Sequence, residues 1–468
     1  MRKLFLILSV LFAAISCATY YQSNYSFNEE FEKGELDKAL STLRAHPSEA
    51  AGKRQFLFDV NNGLLLSLLG RYEESNEYFE KAYVFGEDYH INYLNEVGSY
   101  LTNPNFTQYR GEDHEHLMLL YFKALNYLKL GKREDALVEC RRLNIRLQQL
   151  TDRYESDNKY RKDAFIHTLM GIIYDADKDF NNAFIAYRNA VEVYQNDFTR
   201  LFNVNTPEQL KLDLLRTAKL SGMEDEYEAY KSRFGMEDYQ ASDSAGSDLV
   251  FFWHNGLSPV KAEWGIDFFV TRRDNYIVFT NAELGMNFPF NAGGYDEKER
   301  KGLASLEVFR VAFPKYVERP VYFEKASVSL RGQAHPLQLL EDVNKIAFKC
   351  LDERMILELS KALIRVALKK LEEYELKKND KTQAIGTVLG IINAITEKAD
   401  TRNWQTLPHT IYYSRVPLRE GANDIVFTTT DNQGRSQDHN FTYRVKKGET
   451  LFHTFSSLES SYPRYGYY

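Results

Sequence analysis

Cysteine, proline and glycine are scarce in this chain, with 3, 11 and 25 residues among 468. So few cysteines exclude a disulfide-based scaffold, and so little proline and glycine exclude a collagen-like or low-complexity fibre. We expect Cys140 and Cys350, each in a helical pattern, to be buried free thiols. Lys and Arg number 59 against 66 Asp and Glu, a net charge of −7, which argues against a general nucleic-acid binder. The 44% apolar and 14% aromatic content is typical of a globular protein with room for two or three domains.

Motifs that carry catalysis are also missing. The sequence contains no Walker loop, no Gly-rich dinucleotide fingerprint and no HExxH, CxxC or Gly-x-Ser-x-Gly motif. His114 and His116 lie beside Asp113 and Glu115 and could be considered as metal ligands, but solvated side chains at an acidic helix start are the simpler interpretation. We therefore predict no enzymatic activity, no cofactor and no metal site.

Long apolar runs are absent except at the N-terminus. There, a short basic start is followed by thirteen uncharged residues, 4–16, too few to span ~30 Å of hydrocarbon but typical of a signal peptide. The small residues before Cys17 resemble the bacterial lipobox, which implies removal of residues 1–16, lipid on Cys17 and a lipid-anchored linker over residues 17–24. The alternative is an ordinary signal peptide cleaved near Ser16, with Cys17 unmodified.

The resemblance to lipoproteins also implies a location. Ala18, and not an aspartate, follows Cys17, which under Gram-negative sorting rules implies the outer membrane. A body facing the periplasm is the default for such lipoproteins, and the cell surface is the alternative. No later stretch reaches ~18 apolar residues, so the lipid would be the anchor. We expect an envelope protein as partner and no nucleic acid; the partner's identity and the oligomeric state stay open.

The N-terminal half shows helical periodicity and internal similarity. Its best unit, residues 170–190, looks like a tetratricopeptide repeat: Gly171 and Ala183 would let two helices cross closely, while Tyr174, Phe180 and Tyr187 would fill the space between one hairpin and the next. Similar units lie near Gly34, Gly63, Ala124 and Leu214, at irregular spacing. A non-repetitive helical bundle is the alternative interpretation.

Stacked helical hairpins form a curved array whose concave face commonly binds peptides or proteins. Counting from the repeat pattern, four residues are expected to point into that groove. Each of them could instead be simple packing or solvent-facing surface. They are Tyr121, Leu128, Thr168 and Asp175.

The C-terminal half begins after a polar stretch and alternates strand patterns with one strongly helical region. Strands are expected near residues 249–253, 276–280, 308–313, 327–330, 409–415, 424–430 and 439–445. Helical spacing covers residues 337–378, as one long helix or two in series, and 382–398.

The predicted fold class is therefore α + β multidomain. An N-terminal all-α TPR-like helical repeat array covers residues 25–240. A C-terminal mixed α/β domain with antiparallel strands and one or two long helices covers residues 248–455. A flexible aromatic tail covers residues 456–468.

Three segments of the C-terminal half resemble signatures of an uncharacterised bacterial lipoprotein family with tetratricopeptide repeats. They are residues 252–261 (FWHNGLSPVK), 312–316 (AFPKY) and 399–408 (ADTRNWQTLP). Members of this family resemble accessory lipoproteins encoded near activators of peptidoglycan synthases. The resemblance implies a location and an architecture, and no activity comes with it.

One constellation could form a ligand site. Asp400, Arg402 and Trp404 alternate, so an extended segment would place them on one side, where they could hold a sugar or another polar ligand. The alternative is a structural ion pair with Trp404 packed in the interior.

Three functions thus remain open. The leading hypothesis is an outer-membrane-anchored scaffold that binds protein partners through its repeats, as an accessory to cell-envelope or peptidoglycan assembly. The second is a glycan- or small-ligand-binding, or enzymatic, C-terminal domain on a repeat platform. The third is a structural subunit of an outer-membrane complex.

Overall fold

The computed structural model describes residues 19–92, 107–151, 162–242, 244–273, 275–291, 293, 308–355, 359, 363 and 399–459. The predicted signal peptide, the lipidation site Cys17 and the predicted helix 382–398 lie outside these ranges, as does the tail from residue 460. The helices of the first half are α1 (Tyr20–Ser23), α2 (Tyr25–Glu32), α3 (Leu36–Arg44), α4 (Gln55–Leu68), α5 (Tyr72–Asn92), α6 (Asp113–Lys129), α7 (Arg133–Thr151), α8 (Ala164–Ala176), α9 (Phe180–Val193), α10 (Thr199–Phe202), α11 (Glu208–Leu220) and α12 (Glu224–Phe234).

Five helical hairpins in the described part of the chain share one turn: α2–α3, α4–α5, α6–α7, α8–α9 and α11–α12. In the second hairpin Gly70 has a φ of 77°, its amide donates to the Ser67 carbonyl at 3.0 Å, and the Arg71 amide donates to the Leu66 carbonyl at 2.8 Å. This is a Schellman cap, which needs a left-handed residue and therefore favours glycine. The equivalent positions are Gly34, Gly131, Lys178 and Gly222. The recurring turn confirms the repeat prediction.

Within the hairpins, small residues allow the two helices to approach. A Cβ atom on Gly171 would lie 2.4 Å from Cδ1 of Tyr187, and one on Gly63 would lie 2.6 Å from Cε1 of Phe79. Such distances are far below van der Waals contact, so a larger side chain would separate the helices. Ala183 is likewise fully buried, as predicted for the crossing.

The second half contains the strands β1 (Ser247–Asn255), β2 (Val260–Arg273), β3 (Tyr276–Asn281), β4 (Met286–Asn291), β5 (Val308–Val317), β6 (Phe323–Leu330), β7 (Gln333–Pro336), β8 (Gln338–Asp342), β9 (Thr410–Leu418), β10 (Gly421–Asp431), β11 (Ser436–Val445) and β12 (Thr450–Ser457). A further helix, α13, covers residues 343–355. Among the described residues the strands form three sheets, in the orders β12-β1-β9-β8, β11-β10-β6-β7 and β4-β3-β2-β5. We call the first of these the docking sheet.

The docking sheet has two covered faces. Leu249, Phe251 and Trp253 on one face pack with Val328 and Phe427 of the second sheet as a β-sandwich. The opposite face carries the alternate residues of β1 and β9, which join the hydrophobic core of the helical array. The predicted boundary after residue 240 therefore separates helices from strands along the chain. In the folded protein, however, one hydrophobic core contains residues from both sides of that boundary.

Two predicted boundaries need correction. The helix expected from residue 337 starts at residue 343, because Gln338–Asp342 form β8, which pairs antiparallel to β9. The tail expected from residue 456 also starts too early, because β12 continues to Ser457 beside β1. The expected strands do form, and none of the helices in the described ranges is long and apolar enough to span a membrane.

Candidate functional site

The inner face of the helical array is closed by the docking sheet. Tyr121 on α6 lies 2.8 Å, hydroxyl oxygen to Nε2, from His254 of β1. At the end of the same helix, the Lys129 ammonium donates to the Phe452 carbonyl of β12 at 2.9 Å. On the far side of the array, the Tyr194 hydroxyl donates to the Leu340 carbonyl at 2.6 Å. The sheet thus covers the face on which the repeat pattern predicts a partner groove.

All four residues predicted to line that groove are buried under the sheet or in the core. They are Tyr121, Leu128, Thr168 and Asp175. The Thr168 hydroxyl donates to the Ala164 carbonyl of its own helix at 2.8 Å. The groove proposed from the sequence is therefore an internal interface, and packing is the correct interpretation of these residues.

A buried ionic cluster joins the array to β9. Arg415 contacts three carboxylates, each at 2.8 Å: Asp175 of α8, Asp213 of α11 and Asp248 of β1. Burial by itself would raise the pKa of Asp175, but Arg415 and Arg216 beside it lower that pKa below the ordinary value. For Asp213, burial dominates and the pKa is raised.

Sequence reasoning missed Arg415, although a signal was present. Ile411, Tyr413 and Arg415 alternate along β9 and so share one face, and the first two are fully buried. When a charged residue shares one face of a strand with two residues that are buried, its side chain is expected to be buried in an ion pair.

The segment of residues 399–409 packs against the helical array. Asp400 and Arg402 form an ion pair at 2.7 Å, and Nη1 of Arg402 donates to the carbonyls of Lys53 and Thr107, both at 3.0 Å. Arg402 therefore has its donors occupied within the protein.

Trp404 turns away from that pair into the core. Its side chain is fully buried beside Phe79 and Phe122, with ring centroids 6.1 and 6.0 Å away. Its amide donates to Glu115 Oε1 at 2.6 Å. A buried indole and an internally paired guanidinium form no open cleft, so the glycan-site interpretation of Asp400, Arg402 and Trp404 is replaced by a structural one.

The start of α6 was expected to be solvated, and it is buried. His114, Glu115 and His116 are all nearly inaccessible. Burial lowers the pKa of His114 to about 3, which keeps its imidazole neutral at physiological pH. Glu112 pairs with Lys261 and Arg354. Burial disfavours the charged form of Glu112, but Arg354 and Lys261 outweigh it and lower the pKa.

Metal-ligand geometry does not arise around these histidines. Within the described ranges, no group of three or more His, Cys, Asp or Glu side chains is arranged to hold a metal ion. Cys140 and Cys350 are buried free thiols, as predicted, and burial raises the pKa of each. A buried thiol held in its neutral form is a poor nucleophile.

An open cleft lies instead between α5 and α7 and above α6, and no residue of the docking sheet is among those that line it. We call it the outer groove; its volume is about 630 Å³, within the usual range for ligand-binding clefts. At its floor, Lys123 is 1% exposed and contacts Glu80 and Glu139. The outer groove is lined by Glu73, Asn76, Glu77, Glu80, Lys123, Tyr127, Leu130, Lys132, Asp135, Val138, Glu139 and Arg142.

The N-terminal end of the described chain is held firmly to the body. Thr19 and Gln22 form a capping box at the start of α1, the Tyr20 amide donates to the Thr401 hydroxyl at 3.1 Å, and Tyr20 and Tyr21 are buried. The linker predicted over residues 17–24 is therefore structured from Thr19 onward.

The fold is similar to solved structures of other proteins. The crystal structure of BtubC (BKLC) from P. vanneervenii is similar to 52% of this chain and 88% of that chain, with 17% sequence identity and a TM-score of 0.32. No family model matches the chain, and no curated protein matches it. The hairpins and sheets described above, and not this likeness, define the fold.

Proposed function

We propose that this protein is a lipid-anchored envelope scaffold that binds a protein partner on the outer face of its helical array. The observation that carries the proposal is the pair of surfaces described above: the inner face is filled by the docking sheet, while the outer groove is open. Helical repeat arrays present extended surfaces for partners. With the inner face occupied by the docking sheet, the open groove is where such a partner would bind.

The proposed anchor is lipid on Cys17, which lies outside the described residues. Its support is the resemblance of the N-terminal segment to a lipobox. Each buried acyl methylene contributes ~0.8 kcal/mol, so two or three chains hold a protein firmly to a bilayer. The proposed membrane is the outer membrane, with the body in the periplasm.

The anchor would hold the body close to the membrane. Ala18 alone separates Cys17 from Thr19, and an extended chain covers at most ~3.6 Å per residue. Because Thr19 and Tyr20 are fixed to the body, the surface around them would lie within ~7 Å of the modified cysteine. The outer groove would then work at a set distance from the bilayer.

The resemblance to accessory lipoproteins near activators of peptidoglycan synthases suggests where the partner acts. We propose cell-wall assembly as that process.

The test is photo-crosslinking in cells from a residue in the outer groove. Val138 lines the groove and is 40% exposed; Ile185, on α9 outside the groove, is 37% exposed and serves as the matched control. A photoreactive amino acid at position 138 should capture one dominant envelope protein that position 185 does not capture. Equal capture from both positions, or none from position 138, would contradict the proposal.

A further inference from the structure

Glu341, near the end of β8, carries a buried carboxyl group that the protein leaves unpaired. Its side chain is 2% exposed, and neither of its oxygens has a well-formed hydrogen bond. Burial, followed by the nearby carboxylates of Asp163 and Asp342, raises the pKa of Glu341 well above its ordinary value, and the Asp342 amide opposes this only weakly. The folded protein therefore keeps Glu341 neutral over a pH range in which a solvated glutamate is ionised.

The cavity that Glu341 lines is too small to hydrate a charge. It lies between the helical array and the β8–α13 segment, and its volume is about 10 Å³, which leaves room for one water molecule at most. Apolar side chains from α6, α7, α8 and α13 form most of its wall. An ionised Glu341 could not replace its lost hydration shell inside this space.

The groups that face Glu341 do not compensate a negative charge either. No lysine or arginine of the described ranges lines the cavity. From the array, α6 contributes His114 and Tyr121, and Asp163 lies at the start of α8. Burial lowers the pKa of His114 to about 3, so its imidazole is neutral, and its Nδ1 has no hydrogen-bond partner.

The remaining neighbours of Glu341 are already engaged. The hydroxyl of Tyr194, which follows α9, donates to the Leu340 carbonyl. Asp342 pairs with Lys345 of α13 at 3.3 Å and accepts from the Lys345 amide at 2.9 Å. Ionisation of Glu341 would therefore add an uncompensated charge beside Asp163 and Asp342.

β8 is an element that can open without unfolding the whole protein. It has five residues, it lies at the edge of the docking sheet with β9 as its neighbour, and its register with β9 shifts between Leu339 and Glu341. Two side-chain hydrogen bonds join it to the array, at 2.6 Å from Tyr194 to the Leu340 carbonyl and at 2.9 Å from the Gln209 amide to Gln338. A short edge strand with an interrupted ladder belongs to the low-stability part of a fold.

We infer that β8 is a pH-sensitive edge of the docking sheet, which closes on the array while Glu341 holds a proton and opens when Glu341 loses it. Opening lets water reach the carboxylate, and it uncovers the part of the inner face that β8 hides. The inference goes beyond the proposed function, because it depends on neither the anchor nor the partner.

Proton linkage gives the size of the effect. The closed form holds a proton that the open form releases, so the ratio of open to closed molecules rises by up to about tenfold per pH unit. This rise begins above the ordinary pKa of glutamate, about 4.3, and it ends at the raised pKa of the closed form.

The test is hydrogen–deuterium exchange, followed by mass spectrometry, on the full-length protein in detergent between pH 5 and pH 8. Exchange rates are divided by the intrinsic rate at each pH to give a protection factor. In the wild type, peptides that cover β8 should lose protection at least about tenfold over this range. Peptides that cover β10 in the second sheet should not lose protection in parallel. Constant protection of β8 would overturn the inference.

Two variants assign the response to Glu341. Glu341→Gln keeps the shape of the protonated carboxyl without the ionisable proton, so protection of β8 should stay nearly constant with pH. Glu226→Gln removes a carboxylate on α12, where Glu226 is exposed, and should keep the wild-type response. An unchanged response in Glu341→Gln, or an equal loss of protection in β10, would overturn the inference. Failure of Glu341→Gln to fold would contradict it as well, because the neutral side chain should fit the closed cavity.

Discussion

Replacing Arg415 by methionine tests whether the helical array and the docking sheet stabilise each other through their buried ionic cluster. The change keeps most of the side-chain volume but removes a cation that three carboxylates contact at 2.8 Å. Asp175 retains Arg216, whereas Asp213 keeps a 3.5 Å contact to that cation and a 3.2 Å hydrogen bond from Gln209. Removing one member of a buried ion pair usually costs 3–5 kcal/mol, because a buried charge is left uncompensated. We expect Arg415→Met to lower the free energy of unfolding by about 3–5 kcal/mol.

The assay is urea unfolding followed by far-UV circular dichroism and by tryptophan fluorescence. Arg435→Met is the control, because Arg435 pairs with Asp431 at 2.7 Å but its side chain is 64% exposed, and exposed pairs contribute little to stability. Since one hydrophobic core includes both halves, the two signals should shift together in Arg415→Met. A loss no larger than that of Arg435→Met, or a shift confined to one signal, would refute the reasoning.

Three further predictions follow from single positions. Gly171→Ala places a Cβ atom 2.4 Å from Tyr187 and should lower the free energy of unfolding by about 1–3 kcal/mol. Gly246→Ala is the control and should change that free energy little, because the space around Gly246 is open. Equal effects of the two variants in urea melts would contradict the close crossing. Burial lowers the pKa of His254 to about 3 against about 6.5 in the unfolded chain. Below pH 6.5 the unfolded state therefore binds a proton that the folded state does not, and stability decreases as the pH is lowered towards 3. Wild type should lose about 2 kcal/mol between pH 7 and pH 5 relative to His254→Gln, and parallel pH profiles would show that His254 is not the group involved. Cys17→Ala should move the protein from the membrane pellet to the soluble fraction, and retention in the pellet would argue against lipid as the anchor.

Local features of the fold were predictable from the sequence because their causes are local. Gly70 and Gly131 lie where a helix C-cap needs a left-handed residue. Gly171 indicates a close helix crossing because a residue without a side chain allows another helix to approach, whichever helix that is. The strands near residues 249–253 and 424–430 follow from alternation and β-branched or aromatic content. β8 was missed because its cause is not local. Its apolar residues continue the helical spacing of α13, and only pairing with β9 selects a strand there.

The candidate sites depended on contacts that no local pattern contains. The repeat pattern placed Tyr121 and Asp175 on the inner face, but it could not show that His254 and Arg415, more than 130 residues away in sequence, would cover them. Likewise, alternation put Asp400 and Arg402 side by side without revealing that Lys53 and Thr107 supply the remaining acceptors.

The sequence by itself determined the paired helices and the turns between them, and the strands with clear alternation, such as those near residues 249–253 and 424–430. The tertiary structure decided which surfaces stay open. Periodicity shows that one face of a helix or strand is apolar, but it does not show which other element covers that face. Any apolar face of matching shape could do so. The pairing of faces is decided only when the whole chain folds and all apolar faces are buried together. Here the docking sheet covers the inner face of the array, and the outer groove stays open.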